Sequence, residues 1–284
     1  MRTDGGVLVI VVTGATGNVG RALVERLAGA GLPVRGVSRS PERAALPAGV
    51  EVTRLDADGL FEGASKLFLH LQGAAGERIP RLLERAADSG VRHVVMLSSG
   101  IVGADKEDVA HPIHVWHAQA EQAVRDSRLA WTFLRPNAFA ANAFNWAGQI
   151  RAGDSVRAPF AGALTAPIHE DDIAAVAERA LLDGGHEGAA HRLTGPAATT
   201  NQEQVEAIGR ALGRELTFVE VSADEAVETL YPDMPRDMVR AVLKSTEESG
   251  HSAPEVTTAV ERITGRPART FAAWARDHRE DFRA

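Results

Sequence analysis

The chain has 284 residues, a formal charge of -7 and no cysteine. That length suits one large α/β domain or about one and a half smaller ones, the acidic balance argues against a nucleic-acid surface, and the lack of thiols excludes disulfides and thiol nucleophiles and fits a reducing, cytoplasmic setting. No window approaches the ~20 uninterrupted apolar residues of a membrane span, and residues 1–6 leave no room for a secretory signal ahead of the first strand.

The first predicted strand is Val9-Ile10-Val11-Val12, and it runs directly into Thr13-Gly14-Ala15-Thr16-Gly17-Asn18-Val19-Gly20. Gly14, Gly17 and Gly20 keep the spacing G-x-x-G-x-x-G. A helix follows with Leu23, Val24 and Leu27 on one face. A strand, a glycine turn and a helix in this order form a nucleotide cradle. The turn is tight, the backbone lies open to a pyrophosphate, and the helix N-terminus offers unpaired N–H groups to an anion. The cofactor-binding set read from this segment is Gly14, Thr16, Gly17, Asn18, Val19 and Gly20.

Residues 33–37 are the second predicted strand. An acidic residue at its end would bond the ribose hydroxyls of NAD. Here the chain reads Val37-Ser38-Arg39-Ser40-Pro41-Glu42-Arg43 instead. Arg39 and Arg43 are placed to meet a 2′-phosphate, because a guanidinium pairs well with phosphate, so NADP(H) is preferred over NAD(H). Residues 49–55 form a third strand, after which Asp56 is placed at the adenine. Residues 66–70 form a fourth strand, with Leu69 near its end on the cofactor side. A helix over 77–89 and a fifth strand over 92–97 follow, then Ser98.

A helix over 114–127 and a sixth strand over 129–134 complete a regular alternation. It predicts a parallel sheet covered by helices on both faces, with ligands at the carboxyl ends of the strands. Pro136 and Asn137 close the sixth strand beside the cofactor. The second half is less regular, with helices over 171–182 and 201–212, strands over 190–194 and 216–221, and a largely helical tail. The fold class is α/β: a doubly wound parallel sheet with a smaller C-terminal α+β lobe for substrate. The dinucleotide-binding domain covers 1–136, and 137–284 is mainly the substrate lobe, with segments returning to the core sheet.

The helix over 114–127 carries the chemistry. A Tyr-x-x-x-Lys pair is excluded: the only tyrosine is Tyr231, position 235 is Pro235, and the three lysines are Lys66, Lys106 and Lys244. His117 is the candidate to face the nicotinamide, as proton donor or as a ribose-orienting donor. Glu121, one turn later, is placed to hold its ring. Ser98 is placed to touch substrate or nicotinamide. His111, His114 and His117 recur every third residue, yet no carboxylate–histidine motif surrounds them and no metal is expected. Between 136 and 167, Phe139, Asn142, Phe144, Trp146 and Phe160 form a candidate substrate wall of aromatic rings and an amide.

These segments resemble the NmrA-like family of atypical short-chain dehydrogenases/reductases. The matching pieces are Thr13 to Gly20, Val37-Ser38-Arg39-Ser40, Leu97-Ser98-Ser99, Leu134-Arg135-Pro136-Asn137-Ala138-Phe139 with Asn142, and Ile168-His169-Glu170-Asp171-Asp172-Ile173-Ala174. They run in order over roughly the first two-thirds of the chain. The chain departs from the family over 56–65, where members carry a longer helical segment. The resemblance implies an NAD(P)-binding Rossmann protein. It implies either a reductase of quinones, dyes or other electron-poor substrates, or a redox sensor acting through a protein partner. The leading expectation is an NADPH-dependent reductase passing hydride to a quinone, enone or aromatic polyketide-like molecule, whose delocalised charge needs little acid. The alternatives are the sensor, and an isomerase or dehydratase that retains its cofactor. The expected partner is a small molecule, with neither nucleic acid nor membrane. A monomer or homodimer is expected, with a protein partner if the chain is a sensor.

Overall fold

The computed structural model describes residues 9–74, 78–104, 109–232, 234–249 and 252–283. The chain divides into two compact units. The first comprises Met1–Pro136, Glu170–Leu193 and Arg262–Gly265, and the second the remainder.

The first unit opens with β1 (Val9–Val12), α1 (Asn18–Gly29), β2 (Val34–Val37), β3 (Glu51–Thr53) and β4 (Ala64–His70). It continues with α2 (Ile79–Asp88), β5 (His93–Leu97), α3 (Pro112–Arg125) and β6 (Ala130–Pro136). The chain then builds β7 (Ala138–Phe139), α4 (Ala147–Ala152), β8 (Ser155–Ala158), β9 (Leu164–Thr165) and β10 (Pro167–Ile168) in the second unit. It returns to the first with α5 (Glu170–Leu182) and β11 (Ala189–Leu193). Seven strands form one parallel sheet in the order β11-β6-β5-β4-β1-β2-β3. The order reverses direction beside β1, which places the switch point of this doubly wound sheet at the glycine turn.

Alternation along each strand sorts the core onto two faces. Val11, Leu67, Leu69, Val94, Met96 and Phe133 pack with Leu82 and Leu83 of α2 and Val124 of α3. Ile10, Val12, Phe68 and Val95 are equally buried on the other side. There Arg26 of α1 meets Glu178 of α5 at 2.7 Å. Strands buried on both faces read as continuous Val/Ile/Leu runs, and this made them easy to predict. The expected helix over 77–89 spans Ile79–Asp88, with Pro80 in its first turn; Glu77 lies outside the described residues. The helix expected from His114 begins at Pro112, because the His111 ring caps it, accepting from the Ile113 N–H at 3.2 Å.

The second unit continues with β12 (Thr199–Thr200), α6 (Asn201–Leu212), β13 (Thr217–Glu220), α7 (Ala223–Thr229), α8 (Arg236–Ser249), α9 (Ala259–Thr264) and α10 (Phe271–Asp277). The first half of α9 falls by position in this unit, and its second half in the first. Thr200 and Glu203 form a capping box on α6, and Gly213 ends it in the left-handed conformation. Ile150, Val205, Ile208, Phe271, Trp274 and Phe282 form this unit's core. Among the described residues no helix is long and apolar enough to cross a membrane.

Candidate functional site

The site begins at the glycine turn. Thr13 ties the end of β1 to β4: its hydroxyl accepts from the His70 N–H at 2.7 Å and donates to the Phe68 carbonyl at 3.2 Å. Gly14 then turns at φ +66°. Gly20 packs so closely under it that a Cβ there would overlap the Gly14 carbonyl. Gly73, in the short turn after β4, is equally close, and a Cβ would overlap the Gly14 nitrogen. Gly73 was missed in the sequence because only the neighbourhood of β1 and β4 brings it to the turn. Gly17 is the N-cap of α1 in extended conformation, with no side chain capping the helix. The first N–H groups of α1 are thus not taken by a side-chain cap, and Thr16, Gly17 and Asn18 are exposed beside them. Val19 is buried against the core. A backbone cradle closed to any Cβ, ending in an uncapped helix N-terminus, fits a dinucleotide pyrophosphate.

Beyond β2 and β3 lies an open groove of about 540 Å³, lined by Ser38, Arg39, Arg54, Asp56, Arg81 and Arg85 among others. Arg39 and Asp56 thus line the same groove. Arg43, in the exposed turn after Pro41, is not part of the lining. Arg54 donates to the Arg39 carbonyl at 2.8 Å and lies 3.7 Å from the Glu42 carboxylate. Arg85 donates to the Ala57 carbonyl at 3.3 Å. The guanidinium groups of Arg39 and Arg81 have no such bond among the described residues. Arg81 and Arg85 come from α2 and carried no local signal in the sequence.

At the ends of β5 and β6 the site is buried and crowded. The Glu121 side chain is fully buried. Its carboxylate accepts from the Ser98 hydroxyl at 2.6 Å, from Arg135 Nε at 2.9 Å and Nη2 at 2.6 Å, and from Arg125 Nη2 at 2.8 Å. The expectation that Glu121 holds the His117 ring is therefore corrected: its oxygens are committed elsewhere. His117 Nδ1 has no hydrogen-bond partner among the described residues. Burial pushes the His117 imidazole down to about 4, against the Glu121 charge that favours its protonation and with a further push from His70. Burial likewise holds His70 below the ordinary histidine value. Leu69, one residue before His70, is buried in the core. Pro136 accepts from the Gly100 N–H at 2.8 Å, and Asn137 is exposed.

In the second unit the five proposed substrate-wall residues do not share one surface. The Phe144 ring lies 5.0 Å from Trp274 and 5.8 Å from Phe282, and Trp146 is buried in the same core. Phe160, at φ 59°, packs with a separate cluster around Ala226 and Val227. Phe139 lies in β7, paired with Ile168, and Asn142 is exposed. Burial of aromatic rings drives core formation as readily as ligand binding. Among the described residues no group of three or more His, Asp or Glu side chains stands close enough to hold a metal.

A family described as NAD(P)H-binding matches residues 14–184. The chain is 41% identical to a (4-alkanoyl-5-oxo-2,5-dihydrofuran-3-yl)methyl phosphate reductase of Streptomyces griseus, over 96% of this chain and 99% of that one. It is 32% identical to an NAD(P)H azoreductase of Xenophilus azovorans, over 97% and 100% of the two chains. Among solved structures, an NADPH-dependent quinone oxidoreductase of Escherichia coli complexed with NADPH shares the fold. Its TM-score is 0.76 at 22% identity, over 94% of this chain and 98% of that one.

Proposed function

We propose that the chain, a member of the NAD(P)H-binding family, is an NADPH-dependent reductase of a carbon–carbon double bond conjugated to carbonyl groups. It binds NAD(P)H and is an oxidoreductase. The preferred substrate class is an alkanoyl-substituted unsaturated lactone bearing a phosphate, the chemistry named for the Streptomyces relative.

The observation that carries this reading is the poverty of acid in the site. No tyrosine–lysine pair exists in the sequence. The His117 imidazole is neutral at neutral pH, its value pushed down to about 4. A ketone reduced to an alkoxide needs a strong hydrogen-bond donor at oxygen. A doubly activated alkene does not, because hydride addition places the charge on an enolate shared by two carbonyls. The bound nicotinamide supplies the hydride. His117 passes a proton from water to the enolate carbon, Ser98, whose own proton is held by Glu121, lines the site as an acceptor, and binding and alignment supply most of the rate. Phe139 and Asn142 are the residues of the proposed wall least committed to packing. Preference for NADPH over NADH rests on Arg39 in the groove beyond β2, with Arg81 facing the same space.

NADPH oxidation is to be followed with an alkanoyl butenolide phosphate, its dephosphorylated form, a quinone and an azo dye. The expected result is a saturated lactone with both carbonyls intact. Its kcat/KM is expected to exceed that for quinone or dye by ~10-fold or more, about 1.4 kcal/mol in the transition state. Turnover of the quinone or dye alone would overturn the substrate class. Bound NADPH that survives every acceptor would overturn the reductase reading.

A further inference from the structure

The buried carboxylate of Glu121 has a geometry that a simple surface ion pair would not need. Its two oxygens receive four hydrogen bonds from three directions: Ser98 at the end of β5, Arg135 near the end of β6, and Arg125 one turn on in α3 itself. Nothing local asks for a carboxylate there, since α3 could cover β6 with an apolar residue. A buried charge is kept at a cost unless its partners are well placed, and here each one is a fixed point of the fold. Arg135 in turn fills the space beside Gly103, which turns at φ +78° and has no room for a Cβ against the guanidinium. The neighbouring strand repeats the pattern, with Arg192, paired with Arg135 across β11 and β6, donating to the Gly103 carbonyl at 2.6 Å and the Gly100 carbonyl at 3.3 Å. The segment from Ser98 to Gly103 is thereby bonded to the Arg192 guanidinium and packed against that of Arg135.

We propose that Glu121 is a positioning residue of the reductase site: its carboxylate locks α3 and the segment after β5 to the ends of β5 and β6, and so fixes where His117 and Ser98 stand. His117 lies four residues earlier on α3, about 6 Å further along the helix axis, beyond the carboxyl ends of the strands. Rotation of α3 by a fraction of a turn would carry its ring off any substrate. The Ser98 hydroxyl spends its one proton on Glu121, so toward a ligand it can act only as an acceptor. Ser98 thus has a fixed polarity as well as a fixed place.

This inference rests on the proposed reductase function, and its test includes readouts that do not. In Glu121→Gln, NADPH affinity from nicotinamide fluorescence is expected to stay within about twofold, because the glycine turn and the arginine groove are untouched. With the butenolide substrate, kcat is expected to fall by ~10- to 100-fold while the KM for NADPH holds. The His117 midpoint, followed by NMR on the cofactor-free protein, is expected to move to lower pH. The charged and titratable groups disposed about that ring are Glu121 on its own helix, His70 from β4, and Arg135 from β6 through Glu121. The midpoint shift reports the Glu121 charge itself; the lock is read from amide exchange across α3 and residues 98–103, expected to quicken in Glu121→Gln. Because Glu121→Gln can fail to fold, a second variant, Glu121→Leu with Arg135→Met, removes both charges and refills their space. It is expected to recover thermal stability without recovering kcat. Wild-type kcat in the double variant, or unchanged amide exchange across α3 and residues 98–103 in Glu121→Gln, overturns the proposal. A wild-type protein that reduces no acceptor would overturn the proposed function, and amide exchange would still decide the role of Glu121.

Discussion

Strands β5 and β6 carry a buried polar cluster at each end, and the two clusters are built on opposite principles. At the carboxyl end, Glu121 holds Ser98, Arg125 and Arg135 with charge-assisted bonds. At the amino end, His93 Nε2 lies 2.9 Å from the Thr132 hydroxyl, which donates to the His186 carbonyl at 2.7 Å. A hydroxyl has one proton, so His93 must donate from Nε2, and its Nδ1 is the unprotonated nitrogen, left without a partner among the described residues. That chain is neutral. Burial, reinforced by the Lys66 charge, pushes His93 down to about 4. The contrast teaches where this sheet pays for ionic groups. Neutral bonds suffice to close the amino edge, whereas ions appear at the edge where α3 and the segment after β5 meet the carboxyl ends of the strands.

Breaking the ionic cluster should cost most. Glu121→Leu alone strands Arg135, of which only 15% is exposed, and chemical unfolding should show a loss of about 3–5 kcal/mol. A loss below about 1 kcal/mol would mean that water reaches the guanidinium and that the cluster is no lock. The neutral cluster should reveal itself through pH instead. The folded value of His93 lies below its unfolded value of 6.5, so its neutral form is the folded form. Stability is then complete above pH 6.5 and is lost as pH falls toward 4. The loss is on the order of 3 kcal/mol for this one group. Subtracting the stability–pH curve of His93→Gln from that of the wild type isolates the effect from the other histidines. Parallel curves between pH 4 and 6.5 would exclude it. Thr132→Val comes next, since it leaves the His93 N–H and the His186 carbonyl unpaired for about 1–3 kcal/mol. It should leave NADPH affinity and kcat as they are, which is the opposite of the outcome expected at Glu121.

The two ends differ in legibility for the same reason. The glycine turn was readable because its signal is local: a strand, three spaced glycines and a helix are contiguous in the chain. Arg39 was readable because it occupies a position defined by the end of a strand. Glu121 was singled out for its spacing from His117, yet a spacing along one helix cannot say which of several neighbours a carboxylate will choose. The choice was made by Ser98 and Arg135, 23 and 14 residues away in sequence. Gly73 and Arg81 escaped notice because their partners are brought near by the sheet. Phe144 and Trp146 show the converse limit. An aromatic run signals a surface to be covered, and whether a ligand or Trp274 covers it depends on packing that the sequence does not state.

The arginine groove extends the comparison to charges left uncommitted, where the smallest effects are expected. Arg39 lines the groove and its guanidinium makes no bond among the described residues, whereas Arg43 lies outside the lining. If the groove reads a 2′-phosphate, Arg39→Asp removes an attraction and adds a repulsion that NADPH feels and NADH does not. NADPH affinity should fall by ~10-fold or more, while NADH affinity changes by less than about twofold. Equal losses for both cofactors would return Arg39 to a general role in the groove wall. Arg43→Ala should change either affinity by no more than about twofold, and only through its long-range, salt-screened field. The pair of titrations therefore separates contact from mere proximity: two exposed arginines four residues apart should differ by about the full discrimination between the cofactors. A large effect at Arg43 would mean that the turn from Pro41 to Arg43 folds over the groove when NADPH binds.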